Sequence, residues 1–194
     1  DLGMPDRRRI GLDPHVEEIF DHPEEAGEDR RFGEILLHLL LREGVAGLLQ
    51  FFRRKSLPVI HVQHDAGPGS LFDINGESGA IAIKVAPVAG EGRVVKRLAN
   101  SFIGTDLEAQ LKALGEPRQL VICGFMTHNC VNSTARGAVN LGWPVCVPAS
   151  ATATRDLPGP DGSVVPAAEV QRANLAGMSD VFALVVANGA AIAD

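Results

Sequence analysis

Residues 121–147, VICGFMTHNCVNSTARGAVNLGWPVCV, decide the fold because they contain a strand, a helix and a second strand in direct succession. The first strand is the end of the apolar run QLVICG, the helical pattern is CVNSTARGAVNLG, and the second strand is PVCV. Continuous apolar strands are typical of parallel strands that are buried on both faces. Cys130 stands where the first strand has ended and the helical pattern begins.

The rest of the chain repeats this alternation. Apolar residues recur at helical spacing over residues 32–54, VIHV is a short β-branched strand, and HDAGPGSLFDINGESG has the composition of a long loop. RVVKRLANSF begins as a strand, and TDLEAQLKALG is a helix with Thr105 as its N-cap and Gly115 as its stop. A last helix, AAEVQRANLAGM, precedes the strand VFALVV. The pattern predicts an α/β fold, a sandwich with a mostly parallel, doubly wound sheet.

Composition limits the classes of function. A chain of 194 residues, 45% hydrophobic and 22% charged, is expected to form a single domain over residues 1–194. The net charge of -6 argues against nucleic-acid and membrane partners. No apolar run is long enough to span a bilayer and the first residues are charged, so we expect a soluble, cytoplasmic protein. Cys123 and Cys146 lie within apolar runs and are expected to be reduced packing thiols.

Cys130 has a position that suits catalysis. In doubly wound folds, ligands bind beyond the carboxyl ends of the parallel strands, where Cys130 lies. If Thr127 or Asn129 caps the following helix, the free N–H groups and the helix dipole favour the thiolate of Cys130. The same amides could hold an oxyanion. The alternative is that Cys130 is a small buried hydrophobe, and its position alone leaves both interpretations open.

Four segments, in order, resemble the isochorismatase-like cysteine hydrolases, a group that includes nicotinamidases and N-carbamoylsarcosine amidohydrolases. They are LPVIHVQHD, VVKRLANSFIGTDLEAQLKALG, VICGFMTHNCVNSTARGAVNLGWPV and ASATATRDLPGPDG. The resemblance runs from about residue 20 to the C-terminus and implies a three-layer α/β/α sandwich. It implies that Cys130 is the nucleophile and that Lys96 is its charged neighbour. It also implies a cis peptide at Phe125-Met126, with the amides of Met126 and Cys130 as the oxyanion hole.

The third member of the family's Asp-Lys-Cys triad is where this sequence departs from the pattern. FDHP, at residues 20–23, matches the family, but the preceding RRIGLDPHVEEI lacks a convincing strand, so residues 1–19 are atypical. Counting back without a gap puts His15 in the aspartate position, and sliding by two residues puts Asp13 there. Three explanations stay open: a displaced Asp13, a His15 base, or a damaged triad. We choose Asp13.

Other polar residues are expected to shape the substrate pocket and not to bind a metal. His61 and His64 would point to opposite faces of a strand, which is poor geometry for one ion, and the stretch HVQHD lacks the nicotinamidase Asp-x-His spacing. We predict no metal and no other cofactor. We expect His64, Asp65, Phe125 and His128 to line the pocket. GPGS, in the loop after VIHV, lacks the lysine of a phosphate-binding loop.

The resemblance therefore implies a cysteine hydrolase that attacks a small planar amide or ureide through a Cys130 thioester, which water then resolves. The branch of the family that cleaves the vinyl ether of isochorismate lacks this cysteine. A homo-oligomer, a dimer or tetramer, is common in the family and is expected here. The alternative is a catalytically impaired relative that binds a small metabolite or acts as an oligomeric scaffold. A flavodoxin-like nucleotide binder also fits the alternation but lacks phosphate-binding glycines.

Overall fold

The computed structural model describes residues 44–115 and 117–189. Asp13, His15 and the rest of the atypical N-terminal segment therefore lie outside the described residues, as does the first part of the predicted helix over residues 32–54. The helices are α1 (residues 44–54), α2 (Leu107–Ala113), α3 (Asn132–Asn140) and α4 (Ala167–Val181). Short 3-10 turns occupy Ile83–Val85 and Ala149–Ala151, and a π-helical turn occupies Thr127–Val131. In this part of the chain, no helix is long and apolar enough to cross a bilayer.

The strands are β1 (Ile60–His64), β2 (Gly92–Lys96), β3 (Leu120–Val121), β4 (Gly124–Phe125), β5 (Val145–Pro148), β6 (Thr152–Ala153), β7 (Leu157–Pro158), β8 (Val164–Val165) and β9 (Ala183–Val186).

Parallel pairing dominates the strands. β1 pairs with β2 in register from Ile60↔Gly92 to His64↔Lys96, and β5 lies between β3 and β9. β4 pairs with β6, also in parallel, and β7 and β8 form an antiparallel hairpin. This alternation of helices with parallel strands agrees with the predicted α/β class.

The prediction that QLVICG is one continuous strand is wrong. β3 pairs with β5, whereas β4, two residues later, pairs with β6. Gly124 has a φ of 109°, a conformation that side chains with a Cβ rarely adopt, and it redirects the backbone between the two strands. The apolar run thus changes partner at the glycine, immediately before the segment that contains Cys130.

The start of α2 differs by one residue from the prediction. Asp106, not Thr105, is the N-cap residue, although the Thr105 hydroxyl still accepts a hydrogen bond from the Leu107 N–H at 3.3 Å. Gly115 has a φ of 89° just beyond the helix end, as expected of a glycine that stops a helix.

One apolar cluster joins α2, α3 and α4 to the strands. Val145 and Val147 of β5 belong to it, while Cys146 between them is fully buried on the other face. Trp143 closes the cluster by stacking on Phe102, with ring centroids 5.6 Å apart. The buried members are Val94, Leu107, Leu111, Val131, Ala135, Ala138, Trp143, Val145, Val147, Met178 and Ala183.

A charged cluster centred on Glu91 ties α1 to the first strands. The Arg53 guanidinium donates to both carboxylate oxygens of Glu91, at 2.7 and 2.8 Å. The Val88 N–H donates at 2.9 Å, and His61 Nε2 lies 2.8 Å from Oε2 and donates, since a carboxylate can only accept. The Arg53 hydrogen bond is the main cause that lowers the pKa of Glu91 from 4.5 to about 2, despite an opposing effect of burial.

Replacing Glu91 tests this cluster. Because the folded-state pKa of Glu91 is depressed, its contribution to stability is present above pH 4.5 and is lost as the pH falls toward 2. We expect Glu91→Gln to lower the Tm at neutral pH by about 4 °C. The difference in Tm between Glu91→Gln and the wild type should disappear as the pH is lowered from 4.5 toward 2. Thermal unfolding followed by circular dichroism gives the two Tm values.

Glu108→Gln is the matched control, since Glu108 forms an exposed pair with Lys112 at 2.7 Å. Exposed pairs contribute little, so its Tm should change by about 1 °C or less. An equal loss in the two variants, or a Glu91→Gln difference that persists at the acidic end, would contradict the role of the cluster.

Candidate active site

Lys96 and Cys130 meet at the carboxyl ends of the strands. Lys96 is the last residue of β2, and Cys130 lies in the π-helical turn that follows β4. The Lys96 Nζ atom is 3.1 Å from the Cys130 Sγ atom. Lys96 is only 4% exposed, whereas Cys130 is partly exposed. The arrangement places the buried Lys96 side chain beside a cysteine that is partly exposed.

The Lys96 ammonium has three further neighbours. It donates to the carbonyl oxygens of Leu98 at 2.8 Å and Ala99 at 3.1 Å, and it lies 3.2 Å from His64 Nδ1. Over the described ranges, none of its hydrogen-bond partners is a carboxylate. A buried charge is costly unless it is paired or well hydrogen-bonded. Over residues 44–115 and 117–189, the Cys130 sulfur is the hydrogen-bond partner of Lys96 whose side chain can carry a negative charge.

The segment that leads to Cys130 begins with the expected cis peptide at Phe125-Met126. The Met126 carbonyl then accepts from the Asn129 and Val131 N–H groups, at 3.0 and 3.2 Å. The prediction that Thr127 or Asn129 caps the helix is wrong, since no side chain caps the turn. The π-helical turn replaces the expected first turn of an α-helix and places Cys130 before α3.

His64 and Asp65 lie where β1 ends beside Lys96. The His64 ring packs edge-on against Phe72, with centroids 5.3 Å apart. Burial lowers the pKa of His64 below 6.5, the positive charge of Lys96 lowers it further, and Asp65 opposes both effects. Asp65 accepts a hydrogen bond from the Gly67 N–H at 2.9 Å and pairs with the exposed Arg97 at 3.1 Å. His64 is thus one of the groups that contact the Lys96 ammonium, and Asp65 fixes the start of the following loop.

His128 lies within the π-helical turn, and Phe125 lies just before it. His128 Nδ1 hydrogen-bonds the Thr154 hydroxyl, which joins the turn to the segment after β6. Burial, followed by the charge of Arg155, lowers the pKa of His128. Phe125 is 57% exposed for a large apolar side chain. Both positions are compatible with the predicted pocket lining, and their contact with a substrate stays a prediction.

The other titratable clusters differ from this site. His61 belongs to the Glu91 cluster, on the face of β1 opposite to His64. Among residues 44–115 and 117–189, no group of three or more His, Cys, Asp or Glu side chains is arranged to hold a metal ion. Burial raises the pKa of Cys123 and of Cys146 to about 11, so these thiols are poor nucleophiles near neutral pH.

Sequence reasoning missed the groups that surround Lys96. The Leu98 and Ala99 carbonyls belong to the backbone and leave no signal in residue identity. Thr134 was also missed, although in the predicted helix CVNSTARGAVNLG a residue four positions after Cys130 would lie on the same side as Cys130. Its hydroxyl reaches Ser101 and Ala99, as described below.

Comparisons with known proteins agree with this geometry. The sequence model of the isochorismatase domain matches residues 41–188. An uncharacterized isochorismatase family protein of Bacillus subtilis is 38% identical over 145 residues, which are 74% of this chain and 79% of that protein. A streptothricin hydrolase of Streptomyces noursei is 38% identical over 129 residues, 66% of this chain and 46% of that enzyme.

The crystal structure of an isochorismatase from Pseudomonas putida is similar with a TM-score of 0.74 and 37% identity, and the match covers 77% of this chain and 76% of that one. This likeness confirms the predicted fold, a three-layer α/β/α sandwich with a mostly parallel, doubly wound sheet. The narrower resemblance to nicotinamidases stays a prediction.

The electrostatic coupling of His64 to Lys96 can be measured directly. We expect the Lys96→Met variant to show a higher pKa for His64 than the wild type, because a positive charge that disfavours the imidazolium is removed. A pH titration of the histidine ring signals by NMR, assigned with His64→Gln, gives the value. Lys112→Met, on the exposed side of α2, should leave the titration unchanged. An unshifted His64 in Lys96→Met would mean that the two groups are not in contact in solution.

Proposed function

Because the chain belongs to the isochorismatase family of hydrolases, we propose that it is a cysteine hydrolase that cleaves the C–N bond of a small amide or ureide. The observation that carries the proposal is the 3.1 Å contact between Lys96 Nζ and Cys130 Sγ at the carboxyl ends of parallel strands. An ammonium group at this distance stabilises a thiolate, which is the nucleophilic form of cysteine.

In the first step, the Cys130 sulfur attacks the carbonyl carbon of the substrate and forms an S–C bond. The carbonyl oxygen gains negative charge, which the N–H groups of Met126 and Cys130 are proposed to stabilise. The C–N bond then breaks, and the leaving nitrogen takes a proton from the Lys96 ammonium. A thioester on Cys130 and a free amine, or ammonia, result.

In the second step, water attacks the thioester carbon and gives its proton to the neutral Lys96 amine. The S–C bond breaks, the acid leaves, and the thiolate beside the ammonium is restored. Asp13 stays our prediction for the carboxylate of the triad, with His15 as the other candidate. Both lie outside the described residues.

The substrate class rests on the family resemblance and on one relative. The resemblance to nicotinamidases and N-carbamoylsarcosine amidohydrolases implies a small amide or ureide. The relative from Streptomyces noursei is a streptothricin hydrolase. Substrate contacts are proposed for His64, Asp65, Phe125 and His128. We also propose a homo-oligomer and a reducing compartment such as the cytoplasm, where a reactive thiol stays reduced.

The atypical sequence of the N-terminal segment, residues 1–19, favours one alternative. A catalytically impaired relative that binds a small metabolite would retain the contacts around the Lys96 ammonium but would not hydrolyse a substrate. Reactivity of the thiol separates the two functions, since a binding protein has no need of an activated cysteine.

Site-resolved alkylation tests the proposal without a known substrate. Iodoacetamide near neutral pH should modify Cys130 fast and Cys123 and Cys146 slowly, because with a pKa of about 11 only about one buried thiol in ten thousand is ionised at pH 7. We expect Lys96→Met to slow the modification of Cys130 about tenfold or more. Peptide mass spectrometry of timed samples gives the three rates.

Arg97→Met is the matched control, because Arg97 is the adjacent cation in sequence but is exposed and pairs with Asp65. Its Cys130 rate should stay within about twofold of the wild type, since an exposed charge is screened. If Cys130 reacts no faster in the wild type than in Lys96→Met, the hydrolase proposal fails and the binding function is favoured.

A further inference from the structure

The carbonyl oxygens that hold Lys96 belong to a segment that is itself attached to the helix after Cys130. Ala99 O accepts from Lys96 Nζ at 3.1 Å and lies 3.4 Å from the Thr134 hydroxyl of α3. The Ser101 N–H donates to the same hydroxyl oxygen at 3.1 Å, and the Ser101 hydroxyl lies 2.8 Å from it. We call Ala99, Ser101 and Thr134 the hydroxyl clamp.

The clamp uses the full hydrogen-bonding capacity of the Thr134 hydroxyl. A hydroxyl group donates one hydrogen bond and accepts two. Donation to Ala99 O, with acceptance from the Ser101 N–H and the Ser101 hydroxyl, accounts for all three contacts. Ser101 is 3% exposed and Thr134 is 8% exposed, so water does not readily replace these bonds.

The surrounding packing keeps α3 close to this segment. A Cβ atom at Gly137 would lie 2.6 Å from the Asn100 side-chain nitrogen, so the missing side chain at Gly137 leaves the space that the Asn100 amide occupies. The Asn100 carbonyl oxygen of the side chain in turn accepts from the Phe102 N–H at 3.0 Å, and the Thr105 hydroxyl donates to Ser101 O. The segment thus has fixed contacts on both sides of the clamp.

We infer that Thr134 is a positioning residue, which holds the Lys96 ammonium against the Cys130 sulfur through the hydroxyl clamp. The inference rests on the proposed function. Thr134 lies four residues after Cys130, in the first turn of α3, so the hydroxyl bonds tie the Ala99 carbonyl that binds the ammonium to the helix that follows the nucleophile. Without these bonds, the ammonium would shift from the sulfur although both residues are still present.

Thr134→Val tests the inference, because valine keeps the shape of threonine and lacks the hydroxyl. The readout is the ratio of the Cys130 alkylation rates at about pH 6.5 and about pH 9, since the ordinary thiol ionises between these values. We expect Thr134→Val to lower the ratio about tenfold relative to the wild type. Thr134→Ser, which keeps the hydroxyl, should stay within about twofold of it.

Two further variants separate positioning from loss of stability. Val145→Ala truncates a buried side chain at the amino end of β5, whereas the site lies at the carboxyl ends of the strands. This variant should lower the Tm without changing the ratio of alkylation rates. If Thr134→Val does not fold, Ser101→Ala, which retains the backbone N–H bond to Thr134, should lower the ratio in the same direction.

A Thr134→Val protein with a lower Tm and the wild-type ratio would overturn the inference and leave the proposed function standing. If Thr134→Val does not fold, a Ser101→Ala protein with the wild-type ratio would likewise overturn the inference and leave the proposed function standing. Equal ratios in the wild type and in Lys96→Met would overturn the proposed function together with the inference that rests on it.

Discussion

The site depends on a buried ammonium group. Lys96 is almost completely removed from solvent, and the cost of burying its charge must be offset by its neighbours. Two carbonyl oxygens accept from the ammonium, and His64 Nδ1 and the Cys130 sulfur lie 3.2 and 3.1 Å from it. In the function proposed above, the Cys130 sulfur acts as the thiolate, so the contact that helps to offset the burial of Lys96 also activates the nucleophile.

The fold meets this requirement by bringing distant segments to one edge of the strands. β2 ends at Lys96 and the chain then turns so that the next carbonyls face back to the ammonium. β4 and the π-helical turn bring Cys130 from the other side, and α3 is bound to the carbonyl segment through Thr134. The geometry of the pair is therefore determined by backbone direction and by buried hydroxyl bonds more than by the two side chains themselves.

The sequence predicted those features that depend on residue identity and failed at those that depend on backbone geometry. The position of Cys130 between a strand and a helix, the pairing with Lys96 and the cis peptide at Phe125-Met126 followed from residue patterns or from the family resemblance. The break at Gly124 was missed because an apolar run that contains a glycine has the composition of a single strand. Only the φ angle of the glycine shows that the backbone changes direction there. The Glu91 cluster joins residues that are 30 or more positions apart in the chain, and the carbonyls that bind Lys96 belong to the backbone. Neither contact produces a periodic pattern in the sequence.

The central claim is that the Cys130 sulfur acts as a nucleophile toward an acyl carbon. Incubation with p-nitrophenyl acetate, a small activated acyl donor, followed by acid quench and intact-protein mass spectrometry, tests it most directly. We expect a burst of nitrophenol and one acetyl group per chain, attached to Cys130. Cys130→Ala should show no burst. Acetylation spread over surface lysines, or the same burst in Cys130→Ala, would contradict it.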